Sequence, residues 1–175
     1  HSAMSRHTSW GLVAAFLVAS GGGGCRQKAK KARQVAQLSA QADACALRGE
    51  YGCAMAALKK ALKLQPRNAP LLNRFAMAAR FRYYQTGEMD FRDQELEALR
   101  KAARLAPRHV AIQVGLGTTC WEMGLRKEAA KAYRQALALQ ADHPDVALIR
   151  QRLKKADEAP DEDEPRLMLF DDRIR

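Results

Sequence analysis

Apolar residues recur along residues 35–143 at spacings of three and four, which is the period of a helix that buries one face. The pattern stops and resumes several times, so it predicts a series of helices rather than one long helix. Glycine stands where the first helix of each pair should end and proline where the second should end: Gly49, Gly87, Gly124, Pro66 and Pro107. The sequence therefore predicts pairs of helices joined by short turns.

The second helices of these pairs repeat one pattern of small and bulky residues. Two positions seven residues apart are small in the first and third pairs, Ala54 with Ala61 and Ala129 with Ala136, but the second pair has Glu95 at the first of them. A bulky residue lies between them on the same face: Leu58, Leu99 and Tyr133. Small residues let two helices approach closely, and the bulky one fills the groove between them. A repeat of 34 to 41 residues predicts a stacked array of helix pairs.

This register resembles the tetratricopeptide repeat (TPR), whose signature runs W-x2-L-G-x2-Y, then A-x3-F, then P. The matching residues are Leu38, Gln41, Ala42, Cys45, Ala54, Leu58 and Pro66 in the first unit, Leu72, Phe75, Ala76, Ala79, Leu99 and Pro107 in the second, and Gln113, Leu116, Gly117, Cys120, Ala129 and Tyr133 in the third. The second unit departs from the signature at Glu95 and carries seven extra residues around residues 83–91.

The resemblance implies an all-α fold, a right-handed α-solenoid of three TPR-like helix hairpins. The hairpins would span residues 35–68, 69–109 and 110–143, within a domain of residues 35–155. Residues 144–155 place Val146, Ile149 and Leu153 on one stripe, which predicts an amphipathic C-terminal capping helix. The end of a solenoid needs such a helix because no further repeat stacks on it.

By the same resemblance, the first helices of the hairpins line a concave groove that binds a protein or peptide segment. The residues on this face are Ser39, Asp43, Asn73, Met77, Arg80, Val114, Thr118 and Trp121. Trp121 is the best candidate for a hot spot, and the alternative is a core tryptophan packed on the capping helix. The chaperone-binding branch of the family grips a terminal carboxylate with Lys, Asn and Arg at positions that here hold Ser39, Asp43, Arg74, Ala111 and Gly115. That clamp is therefore not expected.

Basic residues recur in register on the second helices, and stacking would align them as a ridge on the convex side. They are Lys59, Lys60, Lys63, Arg100, Lys101, Arg104 and Arg134. The whole chain has a net charge of +11, and residues 26–155 alone carry 26 basic and 11 acidic side chains, or +15. Such a ridge suits an anionic partner, although it also fits a simply solvated helix face. Nucleic acid is not the expected partner because the chain has no recognition motif.

The N-terminal residues 1–24 have the composition of a secretory signal. We expect residues 1–3 to be a cloning remnant and Met4 the native start. Arg6 precedes an uncharged stretch at residues 11–20, which is too short to span a bilayer, and four glycines follow. The chain is therefore expected to be exported.

Small residues directly before Cys25 resemble the lipobox of bacterial lipoproteins, although Gly22 stands where that motif usually has leucine. The resemblance implies a lipid on Cys25 and, because Arg26 is not the aspartate of inner-membrane retention, a place on the outer membrane facing the periplasm. Plain secretion after cleavage near Ser20 and an uncleaved or organellar segment remain alternatives. Residues 25–34 would then be a basic membrane-proximal linker, or merely a solvated spacer.

The remaining features concern the tail and the chemistry. Residues 156–175 carry 3 basic and 8 acidic side chains around the apolar residues 167–170, which predicts an acidic disordered tail with an apolar patch.

Cys45 and Cys53 are expected to be buried thiols, with a disulfide across the Gly49 turn as the alternative. No spacing matches a metal site or a phosphate loop, so no enzyme and no cofactor are expected.

Together these features predict a non-catalytic scaffold in the bacterial envelope. It would be membrane-anchored, bind protein segments in its groove and aid assembly of an envelope complex. Two alternatives remain open: a structural subunit of a large multiprotein assembly, and an envelope protein that binds anionic polymer or lipid through the basic ridge.

Overall fold

A computed structural model of the protein describes residues 22–158, which form seven helices joined by short turns. These are α1 (Gly22–Leu47), α2 (Tyr51–Leu64), α3 (Ala69–Thr86), α4 (Met89–Leu105), α5 (Val110–Glu122), α6 (Arg126–Leu139) and α7 (Val146–Glu158). Each helix packs mainly on the helices before and after it in the chain. The predicted α-solenoid of three hairpins and a capping helix is confirmed. The predicted signal segment before Gly22 and most of the acidic tail lie outside the described residues.

The turns are made by the residues that the sequence singled out. Gly87, with φ of +72°, caps α3, and its backbone N–H donates to the carbonyl of Tyr83 at 2.7 Å. Gly49 and Gly124 also have positive φ and follow α1 and α5. A glycine is favoured at these places because it reaches the left-handed region without a Cβ penalty. At the other end of α3, the Asn68 side chain accepts from the backbone N–H of Leu71 at 3.0 Å and caps the helix.

The core is built from alanines that let neighbouring helices approach. Ala61, Ala102, Ala129 and Ala136 are completely buried, and the bulky Leu58, Leu99 and Tyr133 fill the space between them. At Gly117 the helices α5 and α6 approach even more closely, because the Tyr133 ring occupies the place where a Cβ would be. The capping helix α7 is anchored in the same core by the buried Ile149.

The seven extra residues of the second repeat lengthen its helices instead of forming a loop. α3 has 18 residues and α4 has 17, whereas α5 has 13 and α6 has 14. The extension places Tyr83 beside Arg92, with 4.8 Å between the guanidinium carbon and the ring centroid. The second hairpin therefore projects beyond the third.

Helix α1 is also longer than its partner. Residues 25–34, predicted as a basic linker, are the N-terminal part of this continuous helix, and Val35 is the first buried residue.

No helix in the described part of the chain combines the length and the apolar character needed to cross a bilayer.

A disulfide joins Cys45 of α1 to Cys53 of α2 across the Gly49 turn, with Cα atoms 5.8 Å apart. The expectation of two buried thiols at these positions is therefore wrong, and the alternative is correct. Cys120 is a buried thiol, and burial, with the nearby Glu128 carboxylate, raises its pKa to about 12. Cys25 is exposed.

Candidate functional site

An apolar cavity of about 460 Å³ opens between α1 and α3, with the buried Ala54 and Leu58 of α2 at its base. Its lining residues are Ala42, Asp43, Ala46, Leu47, Tyr51, Ala54, Leu58, Arg74, Met77, Ala78 and Phe81. Asp43 and Met77 were predicted to line the groove, and the structure brings them together here. We call this the groove cavity.

The rim of the groove cavity carries large apolar side chains that water reaches. Leu47 is 89% exposed, Met77 39% and Phe81 38%. Phe81 stacks on Tyr51 with ring centroids 4.9 Å apart, which holds both rings in place. Contiguous exposed apolar groups of this kind mark interaction sites, since burying one leucine contributes about 1.5–3 kcal/mol.

Sequence reasoning missed Leu47, Tyr51 and Phe81. A signal for two of them was present, because Leu47 and Phe81 follow the predicted Asp43 and Met77 by one helical turn, at i+4. Extending the predicted groove face by that turn would have found them. Tyr51 lies on a second helix and has no such signal.

The polar groups of the groove cavity are bound to each other. Arg74 forms an ion pair with Asp43 and also donates to the backbone carbonyl of Ser39 at 3.1 Å. Its guanidinium is therefore already paired, and the cavity presents mainly apolar surface to a ligand.

Other predicted groove residues are engaged within the protein. Arg80 donates to Glu95 at 2.6 Å and to Thr119 at 2.8 Å, so this side chain is turned to the core and does not line the groove cavity. The Thr118 hydroxyl lies 3.1 Å from that of Tyr133, with which it shares a hydrogen bond. Asn73 and Val114 are half-buried and lie outside the groove cavity.

Trp121, the predicted hot spot, is partly covered by cations. The guanidinium carbon of Arg126 lies 3.8 Å from the centroid of its ring system, and that of Arg152 on α7 lies 5.7 Å away. Its side chain is half-buried and packs against the core, which agrees better with the alternative of a tryptophan held against the capping helix.

A buried ionic network ties the second repeat to the third. Glu95 is 0% exposed and accepts from Arg80 at 2.6 Å, from Arg92 at 2.7 Å and from the Thr119 hydroxyl at 2.6 Å. Arg92 is 4% exposed and also pairs with Glu122. Burial opposes the charge of Arg92, but hydrogen bonds and charge from the two glutamates outweigh it and raise the arginine's pKa.

The predicted basic ridge is only partly free. Arg100 makes two hydrogen bonds to Glu128, at 2.8 and 2.6 Å, and Arg134 pairs with Asp157, so neither offers an unpaired charge. The Arg100 hydrogen bonds lower the pKa of Glu128. The ridge residues that are exposed and form no ion pair with another described residue are Lys59, Lys60, Lys63, Lys101 and Arg104.

Within residues 22–158, Cys45, Glu50 and Cys53 bring possible metal ligands close together. The disulfide occupies both sulfurs, so this group does not offer thiolates to a metal.

Comparison with known proteins agrees with the geometry. Residues 110–143 match the family model of the tetratricopeptide repeat. Similar folds include the TPR domain of Arabidopsis OM64, at TM-score 0.61 and 21% identity over 71% of this chain and 98% of that one. They also include the second TPR domain of human RPAP3 in complex with an HSP70 peptide, at TM-score 0.61 and 16% identity over 74% and 99%.

A third similar structure is the complex of the yeast Sti1 TPR2B domain with pHsp70, at TM-score 0.59 and 15% identity over 72% of this chain and 98% of that one. No curated protein sequence matches the chain. The described part of the chain therefore has the fold of a tetratricopeptide-repeat domain, and its third hairpin also carries the sequence of the repeat.

Proposed function

We propose that this protein is a non-catalytic adaptor whose groove cavity binds a protein segment with bulky apolar side chains. The observation that carries the proposal is the exposure of Leu47 at the mouth of an apolar cavity of about 460 Å³. The similar RPAP3 domain holds a peptide in its complex, which supports a peptide as the ligand here.

The chemistry of the cavity selects the kind of segment. Because Arg74 is paired with Asp43, a peptide carboxylate would have to compete with an ion pair already made. Leu47, Met77 and Phe81 instead offer apolar contacts along one side of the cavity. An amphipathic helix or an extended segment that inserts leucine-sized side chains fits this surface.

Replacing Leu47 by serine tests the proposal. Peptides selected on the wild-type protein from a random phage-displayed library are expected to bind the variant at least about tenfold more weakly, because about 1.4 kcal/mol of apolar burial corresponds to a factor of ten. The dissociation constants are measured by fluorescence anisotropy with the labelled peptide.

Leu148 offers a matched control, since it is also a helical leucine, 45% exposed, but lies on α7 away from the groove cavity. The Leu148→Ser variant should bind the same peptides as tightly as the wild type. Equal weakening in both variants, or a library that yields no binder, would contradict the proposal.

We further propose that the protein works at a bacterial envelope membrane, anchored by a lipid on Cys25, and helps to assemble an envelope complex. The state of the four cysteines supports Cys25 as the modified residue. Cys45 and Cys53 are bonded to each other and Cys120 is buried with a raised pKa, so Cys25 is the accessible thiol.

Intact-mass measurement of the protein from native membranes tests the anchor. We expect the mass of a diacylglycerol on Cys25, and a Cys25→Ala variant should lack that added mass. An unmodified thiol on membrane-bound protein would rule the anchor out and leave the groove proposal untouched.

A further inference from the structure

Residues 23–34 of α1 form a helical arm that contributes no buried residue to the core. Every one of these residues is exposed, and the core begins only at Val35. We call residues 23–34 the basic arm. A helix that is polar all round is ordinarily stabilised by side-chain pairs or by a partner.

The basic arm carries five cations and no acidic residue: Arg26, Lys28, Lys30, Lys31 and Arg33. Within the described residues none of the five forms an ion pair. Arg26 and Lys30 are four positions apart, and Lys30 and Arg33 three apart, and like charges at these spacings destabilise a helix. An anionic partner would remove this repulsion and stabilise the arm.

The arrangement of the cations around the helix indicates the shape of that partner. Cys25, Ala29 and Ala32 recur at i, i+4 and i+7 and form a narrow stripe of small residues. Arg26, Lys30 and Arg33 follow the same spacing and lie on one side of this stripe, while Lys28 lies on its other side and Lys31 further round the helix. A small-residue stripe with cations on both sides suits a flat surface that carries many negative groups.

We infer that the basic arm docks on a bilayer surface rich in anionic lipid. For the place of the arm the inference rests on the proposed function: the exposed Cys25 lies in the first turn of the arm, so a lipid on it would put the cations next to a membrane. Nucleic acid fits less well, because the arm offers no aromatic residue on which bases could stack.

Docking of the basic arm would also orient the groove cavity. The arm and Leu47 belong to the same uninterrupted helix, which runs from Gly22 to Leu47. The cavity is therefore held at a fixed angle to the surface that the arm contacts.

Vesicle binding of matched charge variants tests the inference. The arm variant Lys28→Gln/Lys30→Gln/Arg33→Gln and the ridge variant Lys59→Gln/Lys60→Gln/Lys63→Gln each remove three positive charges from exposed helical positions. All proteins are full-length and carry Cys25→Ser, so that a lipid on Cys25 cannot contribute. Binding is measured by co-sedimentation with phosphatidylglycerol vesicles, and phosphatidylcholine vesicles report what the apolar residues 11–20 contribute.

The arm variant is expected to bind phosphatidylglycerol vesicles on the order of 100-fold more weakly, since each basic residue near an anionic surface contributes a factor of about five. The ridge variant should stay close to the reference protein. Equal loss in both variants, or no preference of the reference protein for the anionic vesicles, would overturn the inference. Binding of a labelled DNA duplex is measured for the same proteins. The inference would also be overturned if the arm variant lost binding to the duplex but not to the vesicles, because the partner would then be nucleic acid.

Discussion

Replacing Glu95 by alanine is expected to lower the free energy of unfolding by about 3–5 kcal/mol, although alanine is the residue that the repeat pattern favours at this position. The substitution removes the carboxylate that accepts from Arg80, Arg92 and Thr119. Arg92 is 4% exposed and cannot regain water without opening the core. The cost that dominates is that the buried Arg92 keeps Glu122 as its only carboxylate and Arg80 loses its carboxylate altogether.

The measurement is urea unfolding followed by circular dichroism, where the midpoint should fall with the slope unchanged. Thermal unfolding should shift downward by on the order of 10 °C, because each kcal/mol corresponds to about 2–4 °C in a chain of this size.

A triple variant separates the ionic cost from the loss of packing. Glu95→Ala/Arg80→Met/Arg92→Met removes all three charges and keeps long apolar side chains, and we expect it to be clearly more stable than Glu95→Ala alone. Replacing a whole buried ionic cluster by apolar groups is often neutral or stabilising, whereas removing one member is not. If the triple variant were no more stable than Glu95→Ala, the loss of stability in Glu95→Ala would not come from the charges left without Glu95.

The hairpins were predictable because they depend on local information. Ala54, Leu58 and Ala61 share one helical face, and the same pattern recurs on α6. The spacing of residues within each helix is therefore enough to predict which of its faces is buried. The turns were equally local, since Gly87 ends α3 through its own backbone conformation.

The ionic network was not predictable in the same way. Glu95 stood out as a departure from the repeat, but its partners come from α3, α4 and α5, and no periodic pattern joins them. Arg80 was assigned to the groove by its register alone. A register places a residue on a face of its helix, but a long side chain reaches wherever its charge is best paired.

This network also explains why Arg80 does not line the groove cavity. Arg80 and Thr119 bridge α3 and α5 through Glu95, and Tyr84 donates to Glu122 at 3.4 Å across the same two helices. Between α1 and α3 the pair of Arg74 and Asp43 lies at the rim, and the groove cavity stays accessible beside it. The groove cavity therefore lies in the first two hairpins, whereas the sequence analysis predicted groove residues on all three.

Alanine at Gly117 is expected to lower the free energy of unfolding by about 1–3 kcal/mol, even though alanine in a helix interior gains about 1 kcal/mol over glycine. A Cβ at this position would lie 2.6 Å from Cδ1 of the Tyr133 ring. The ring cannot move aside easily, because it is buried and its hydroxyl is held by Thr118 and Arg152. The extra methyl group must therefore force α5 and α6 apart.

Gly115 on the same helix is the matched control, since its Cβ would meet the end of the Leu99 side chain at 3.3 Å and Oδ1 of Asn73 at an ordinary 3.8 Å. We expect Gly115→Ala to change the free energy of unfolding by less than about 1 kcal/mol, because the gain in helix propensity offsets a small shift of that leucine. Both variants are compared with the wild type by urea unfolding. If Gly117→Ala were as stable as Gly115→Ala, the close packing of α5 on Tyr133 would not limit the residue at position 117.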